Sequence, residues 1–191
     1  MKLFGKIPVS SSVKTDEEWM LSLQSNQRDA FDVLYGKYKK PIMSYIFSMT
    51  RDSSLSEDLT QETFLKLYRS RDSYTPSAKF STFLWTIAKN TTFDFLAKKR
   101  EIPSSEEDRP EPADDAPGAE DLMIRNLEES GVRECLEKLA PRARMIVNLR
   151  IFSEESYSGI SAITGEPEGN VKTILHRSKA SLVDCFKRRA Q

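Results

Sequence analysis

Residues 101–121, EIPSSEEDRPEPADDAPGAED, constrain the fold of this chain more than any other stretch. Nine acidic side chains against one basic give the stretch a net charge of −8. It has almost no apolar content, so it cannot bury enough surface to offset the entropy of ordering it. Its prolines and like charges keep it extended. The chain of 191 residues must therefore fold as two units on either side of a tether. The expected organisation is a mobile tail at 1–15, a domain at 16–100, an acidic linker at 101–121 and a second domain at 122–191.

The formal net charge of zero hides a segregation. Residues 1–100 carry 16 basic and 11 acidic side chains, and residues 122–191 carry 12 basic and nine acidic. Two basic blocks around an acidic strip point to two nucleic-acid-facing modules. A pair of solvated surfaces with a disordered linker is the plainer alternative. No apolar run approaches the roughly 20 residues that span a bilayer. The N-terminus, MKLFGKIPVSSSVK, has lysines but no apolar core of a signal peptide. A cytoplasmic protein with no membrane insertion of its own is expected. Cys135, Cys185 and His176 are too few for a four-ligand zinc site, and no metal or cofactor is expected. Both cysteines fall on apolar helical positions and are expected as buried thiols.

Hydrophobic spacing of three and four throughout predicts an all-α protein of two small helical domains. Thr15 and Glu18 form a capping box for a helix from Asp16. Phe31, Leu34, Tyr35, Tyr38, Ile42, Tyr45, Ile46 and Met49 predict one buried face from about Arg28 to Thr50, with Pro41 kinking or breaking it. Ser54 or Ser56 is expected to cap the next helix, with Glu57 and Asp58 in its first turn. Leu59, Phe64, Leu67 and Tyr68 should face inward, leaving Asp58, Gln61, Glu62 and Leu65 outside. An exposed loop at Arg71–Lys79 leads to a helix over 80–99, whose buried stripe is Phe80, Phe83, Leu84, Ile87, Ala88 and Thr91. Its outer sides carry Trp85, Lys89, Asn90, Asp94 and Lys98. Past the linker, a helix over Leu122–Leu139 is followed by one opened by Pro141. A short helix then begins at Ser156, with Tyr157, Ile160 and Ile163 facing in, and stops at Gly165. The last helix runs from about Pro167 to Arg188.

A short helix, a glycine-bearing turn and a longer basic helix form a helix-turn-helix arrangement. The second helix of such a pair enters the major groove, and Asn170, Lys172, Thr173, His176 and Arg177 occupy its outward positions. Asn and Arg make two-pronged hydrogen bonds to adenine and guanine, and Thr touches a thymine methyl. Arg150 and Lys179 are placed to reach phosphates. In the first unit, a loop of hydroxyls beside Trp85, Lys89, Asn90 and Lys98 suits single-stranded DNA: cations follow the backbone, and an aromatic stacks a base. The acidic helix beside it would repel DNA, so it must face another partner.

SEDLTQETFLKLY followed by KFSTFLWTIAKNTTFDFLAKKR resembles regions two-point-two to two-point-four of bacterial RNA polymerase sigma factors, in particular the extracytoplasmic-function (ECF) group. LEKLAPRARMIVNLR…YSGISAITGEPEGNVKTILHRSKASL resembles region four of that group. The resemblance covers roughly residues 16–100 and 122–188, in the family's order, with a short linker in place of a folded region three. It implies that Asp58, Gln61, Glu62 and Leu65 dock on the clamp helices of the largest subunit of RNA polymerase core. It implies that Lys79, Trp85, Lys89, Asn90 and Lys98 serve the melted minus-ten element of promoter DNA. Arg150, Asn170, Lys172, Thr173, His176, Arg177 and Lys179 would serve the duplex minus-thirty-five element. A contact of the second domain with the flap of the second-largest subunit, and an anti-sigma factor as regulator, also follow from the resemblance.

The chain departs from the family pattern at several positions. Gly159 and Ser161 flank Ile160 where the family has a glutamate–alanine pair, and the glycine costs roughly 1 kcal/mol of helix propensity. The turn Ser153-Glu154-Glu155 lacks the customary glycine. Asn170 stands where threonine is common, and Phe83 where tryptophan is usual, with Trp85 two residues on. The alternative function is a sigma-like helix-turn-helix regulator that does not engage core polymerase. An enzyme acting on nucleic acid would need a placed acid, base or metal ligands, and no such set is evident.

Overall fold

A computed structural model describes residues 14–101 and 131–189. The expected tail, the linker and the predicted helical start at Leu122 lie outside these residues, apart from Lys14, Thr15 and Glu101. The described chain is all-α, as its periodicity requires: eight α-helices, one 3₁₀ turn and no strand. The first unit comprises α1 (Asp16–Gln24), α2 (Arg28–Thr50), α3 (Ser53–Arg69), the 3₁₀ turn Arg71–Ser73 and α4 (Phe80–Glu101). The second comprises α5 (Val132–Glu137), α6 (Pro141–Phe152), α7 (Tyr157–Thr164) and α8 (Glu168–Arg189). Among the described residues no helix is long and apolar enough to cross a membrane.

Local chemistry sets most helix ends. Thr15 and Glu18 close the capping box in both directions. α2 buries Leu34, Tyr38, Ile42, Tyr45, Ile46 and Met49 and continues as one helix through Pro41, so the expected break does not occur. Proline removes one donor there, while the buried stripe on both sides of it holds the two turns against the same neighbours. α3 is capped by Asp52, not by Ser54 or Ser56: its carboxylate accepts from the Leu55 N–H at 2.9 Å. Ser56 is buried, with its hydroxyl donating to the Asp52 carbonyl. Glu57 and Asp58 consequently fall in the second turn.

Tyr68 was expected to face inward but is 44% exposed. It meets Phe31 edge-on, and the Arg71 guanidinium lies over its ring at 4.4 Å. The loop after α3 is less open than expected. Tyr74 is buried and donates its hydroxyl to the Ala78 carbonyl at 2.8 Å. The Gln24 amide holds the same loop by donating to the carbonyls of Arg71 and Tyr74 at 2.7 and 2.9 Å.

In the second unit Pro141 opens α6, Ser156 caps α7 by accepting from the Gly159 N–H, and Gly165 ends α7 at φ 77°. The missing glycine of the α6–α7 turn is replaced by Glu154, which takes φ 55° itself. Two expectations need correction. Cys135 and Cys185 are buried, but as a disulfide joining α5 to α8 and not as thiols. Tyr157, the first residue of α7, is 42% exposed because a first-turn side chain projects beyond the stripe set by Ile160 and Ile163.

The two units pack on each other, α6 against α2 and α7 against α4, and their apolar residues merge into one core. The Asn148 amide on α6 donates to the Met49 sulfur on α2 at 3.3 Å. The Ser81 hydroxyl on α4 donates to the Glu155 carboxylate ahead of α7. Ser81, Trp85, Ala88 and Thr92 lie on one line of α4, since steps of three and four keep a single helical face. The Ser81 contact marks that line as the side turned to the second unit. Trp85 is only 1% exposed, edge-on to Tyr45 at 5.6 Å, so the indole is not presented outward as expected. Helical spacing separated it from the Phe80–Leu84–Thr91 stripe correctly; a second buried face was the unforeseen element.

Candidate nucleic-acid interface

The acidic strip is a consequence of how α3 packs. Leu59, Phe64 and Leu67 are buried, and Ser56, Thr60 and Thr63 sit between them. The hydroxyls of Thr60 and Thr63 donate to the carbonyls four residues back, so these small side chains are satisfied where they are buried. The opposite side then carries Asp58, Gln61, Glu62 and Leu65, all exposed, Leu65 by 52%. Glu62 pairs with Lys66 at 2.9 Å, and Lys66 in turn donates to Thr91 of α4 at 3.2 Å. A shallow cleft of about 160 Å³ runs beside the strip, between α2 and α3, lined by Tyr35, Lys39, Met43, Glu57, Thr60 and Gln61. Carboxylates edged by an exposed leucine and a tyrosine suit a basic protein surface better than a nucleic acid.

Of the residues predicted for a melted strand, Lys79, Asn90 and Lys98 are exposed. Lys89 is half-buried, and burial lowers its pKa, with Asp94 opposing the shift. Asn90, Asp94 and Lys98, four apart, share the solvent side of α4. The start of α4 is held by carboxylates from both units. Glu17 accepts from the Phe80 N–H at 3.0 Å, and Glu155 accepts from Ser81. Both stand where the helix dipole favours negative charge. The structure thus gathers Lys79, Asn90 and Lys98 on open surface and buries Trp85 against Tyr45 of α2.

The helix-turn-helix is built as its sequence suggested. Ser161 donates to the Glu166 carbonyl at 2.6 Å, and Arg142 pairs with the Glu166 carboxylate, fixing the turn between α7 and α8. Asn170, Lys172, Thr173, His176, Arg177 and Lys179 are all exposed on α8. Thr173 returns its hydroxyl proton to the Gly169 carbonyl at 2.8 Å. Lys172 pairs with Glu168 at 2.7 Å, and that hydrogen bond raises the lysine pKa. Arg150 donates to the Glu155 carbonyl at 2.7 Å.

The residue that sequence reasoning missed is Tyr157. The Arg150 guanidinium and the Lys172 ammonium both lie 5.7 Å from its ring. An exposed aromatic between two cations orders both side chains at the entrance to α8. Its position directly after the cap Ser156 was the available signal.

Residues 34–102 match the family model of sigma-70 region 2, and residues 131–182 that of sigma-70 region 4. RNA polymerase sigma factor CarQ of Myxococcus xanthus is 32% identical over 165 residues, covering 85% of this chain and 92% of CarQ. Among solved structures, CnrH in complex with the cytosolic domain of CnrY is similar with a TM-score of 0.70 at 19% identity, over 91% of this chain and 97% of that one. The sigma factor RpoE of Bartonella quintana, in complex with the anti-sigma factor NepR, is similar with a TM-score of 0.67 at 23% identity, over 82% and 96% of the two chains. At these identities the structural likeness is one of fold, and it extends across both helical units.

Proposed function

Because the chain belongs to the ECF group of the sigma-70 family of RNA polymerase sigma factors, we propose that its exposed surfaces divide the work of promoter-directed initiation among named residues. The observation that carries the reading is one chain holding an acidic α3 strip and a cationic helix-turn-helix, both open to solvent. Asp58, Gln61, Glu62 and Leu65 dock on the clamp helices of the largest polymerase subunit. Lys79, Asn90 and Lys98 follow a melted minus-ten strand, with Lys89 beside them. Asn170, Thr173, His176 and Arg177 face the bases of a duplex minus-thirty-five element. Arg150, Lys172 and Lys179 hold its phosphates, and Tyr157 keeps two of those cations in place.

The packed arrangement is the resting one in this reading. It covers the Trp85 line of α4, so polymerase must part the two units before that face and the second unit's flap contact are used. Among the described residues, Tyr45 Oη and Asn148 Oδ1 are buried without a hydrogen-bond partner, and Asn148 meets Met49 where the units touch. Separation would hydrate the Asn148 oxygen, which lowers the cost of opening. An anti-sigma factor is the expected regulator, by likeness to the RpoE–NepR complex. The protein acts in the cytoplasm as an initiation factor without catalysis of its own.

The test is transcription from genomic fragments with core polymerase, together with core binding. Replacing Asp58 and Glu62 by lysine should lower core affinity at least about tenfold while leaving the helical content unchanged. Unchanged affinity would refute the docking assignment.

A further inference from the structure

α5 is the shortest α-helix described and has little of its own to hold it. It spans six residues, and Gly131 stands at its start without a side-chain cap. Such a helix is marginal by itself. Leu136 and Leu139 pack with Val147 in a small cluster apart from the main core. Cys135 adds a covalent tie, its sulfur bonded to that of Cys185 near the far end of α8, 50 residues on. On α5 as well, Glu137 lies 3.5 Å from Arg51, the residue that ends α2. α5 therefore touches both units: covalently α8, and by an ion pair the end of α2.

A factor that works on polymerase and promoter DNA operates where glutathione and thioredoxin-class proteins keep thiols reduced. Disulfides found there are usually transient or redox-sensing. This step rests on the sigma assignment. We propose that Cys135 and Cys185 form a reversible thiol–disulfide site, opened by dithiol reductants of the thioredoxin class, whose state decides whether α5 is fixed to α8. A reductant thiolate attacks one of the two sulfurs, giving a mixed disulfide and releasing the other cysteine as a thiolate that takes up a proton. The reductant's second thiol then displaces the remaining cysteine and closes the reductant's own disulfide. Two electrons and two protons pass from the reductant to Cys135 and Cys185, and glutathione disulfide reverses the exchange.

Cys135 is 1% and Cys185 4% exposed, so attack requires α5 to open locally. A six-residue helix without a cap opens more readily than the helices of the main core. Once reduced, α5 keeps its apolar contacts but loses the bond that closes a loop of 50 residues. Closing a loop of that length restricts the unfolded chain strongly.

The test uses the full chain, oxidised with glutathione disulfide and then treated with thioredoxin, its reductase and NADPH. Intact mass after alkylation should show both cysteines bonded in the first sample and both alkylated in the second. Hydrogen exchange over 131–140 should rise at least about tenfold on reduction while α3 is unchanged, and Tm should fall by roughly 10 °C or more. Cys135→Ser with Cys185→Ser should match the reduced chain and ignore the reductant. Free thiols after the glutathione disulfide treatment, a bond that thioredoxin leaves closed, or equal α5 exchange in both states would each overturn the proposal. Transcription with core polymerase, run on the same samples, separates the two readings. If no form initiates, the sigma assignment fails, while mass and exchange still decide the redox site.

Discussion

Gly159→Ala sets two effects of comparable size against each other, and the structure says which one each measurement sees. Alanine in place of glycine inside α7 should stabilise that helix by about 1 kcal/mol. A Cβ at this position, however, would overlap the Glu155 carboxylate and lie 3.1 Å from both Glu155 Cβ and Cδ. The carboxylate must therefore shift to move Oε2 aside, which disturbs the hydrogen bond that its Oε1 accepts from Ser81. Hydrogen bonds to charged groups contribute about 1.5–3 kcal/mol, and Glu155 is 6% exposed, so screening is limited. The helix-propensity gain is present whether or not the units are packed together, whereas the Ser81 bond exists only when they are. The ratio of packed to open chain should fall by about tenfold or more, while α7 itself becomes more stable. The chain has two tryptophans, so Trp19→Phe leaves Trp85, buried one turn beyond Ser81 on α4, as the reporter. Its emission should shift to the red in the Gly159→Ala variant. Ser81→Ala should do the same, and the double variant should add little to either. An emission maximum unchanged by Gly159→Ala, with Tm raised by the glycine effect alone, would show that the Glu155 contact contributes nothing to packing the units together.

Tyr45→Phe removes a buried hydroxyl without a partner among the described residues. It should stabilise the fold by about 1 kcal/mol in urea denaturation. Alkaline pH should unfold the protein. Burial raises the phenol pKa of Tyr38, Tyr45 and Tyr74, and Tyr38 also donates to Asp16 at 2.6 Å. The folded state thus keeps protons that the unfolded chain releases near pH ~10. Stability from these groups is full below that pH and falls as pH rises above it; Tyr38→Phe should flatten the decline measured by circular dichroism. Arg177→Ala should weaken binding at one duplex position by about 1–3 kcal/mol, measured across a set of single-base variants. A uniform loss across all of them would make Arg177 a phosphate contact.

Features written in local hydrogen-bond chemistry were legible from residues alone. The Thr15–Glu18 capping box, the extent of α2, Pro141 at the start of α6, the Ser156 cap and the Gly165 stop depend on neighbours within four residues, and sequence order holds that information. The outward positions of α3 and α8 followed as well, because each helix has a clear buried stripe and the opposite side is what remains. Where a carboxylate two residues before Ser54 competed for the cap of α3, the expected serines were misleading.

Contacts between residues far apart in the chain decided the rest. Trp85 lies off the Phe80–Leu84 stripe of α4, and only its packing edge-on to Tyr45 of α2, 40 residues away in the chain, makes its side of α4 interior. Gly159 reads as a weak point in a helix until Glu155 occupies the space its missing side chain leaves. Cys135 and Cys185 are each ordinary apolar helix positions, and nothing one-dimensional brings them within bonding distance across 50 residues. Sequence by itself determined the helices, their solvent-facing charges and the division into two units, because periodicity and capping are short-range. Tertiary structure alone decided which faces the two units cover, because a helix carries no local record of what packs against its second side.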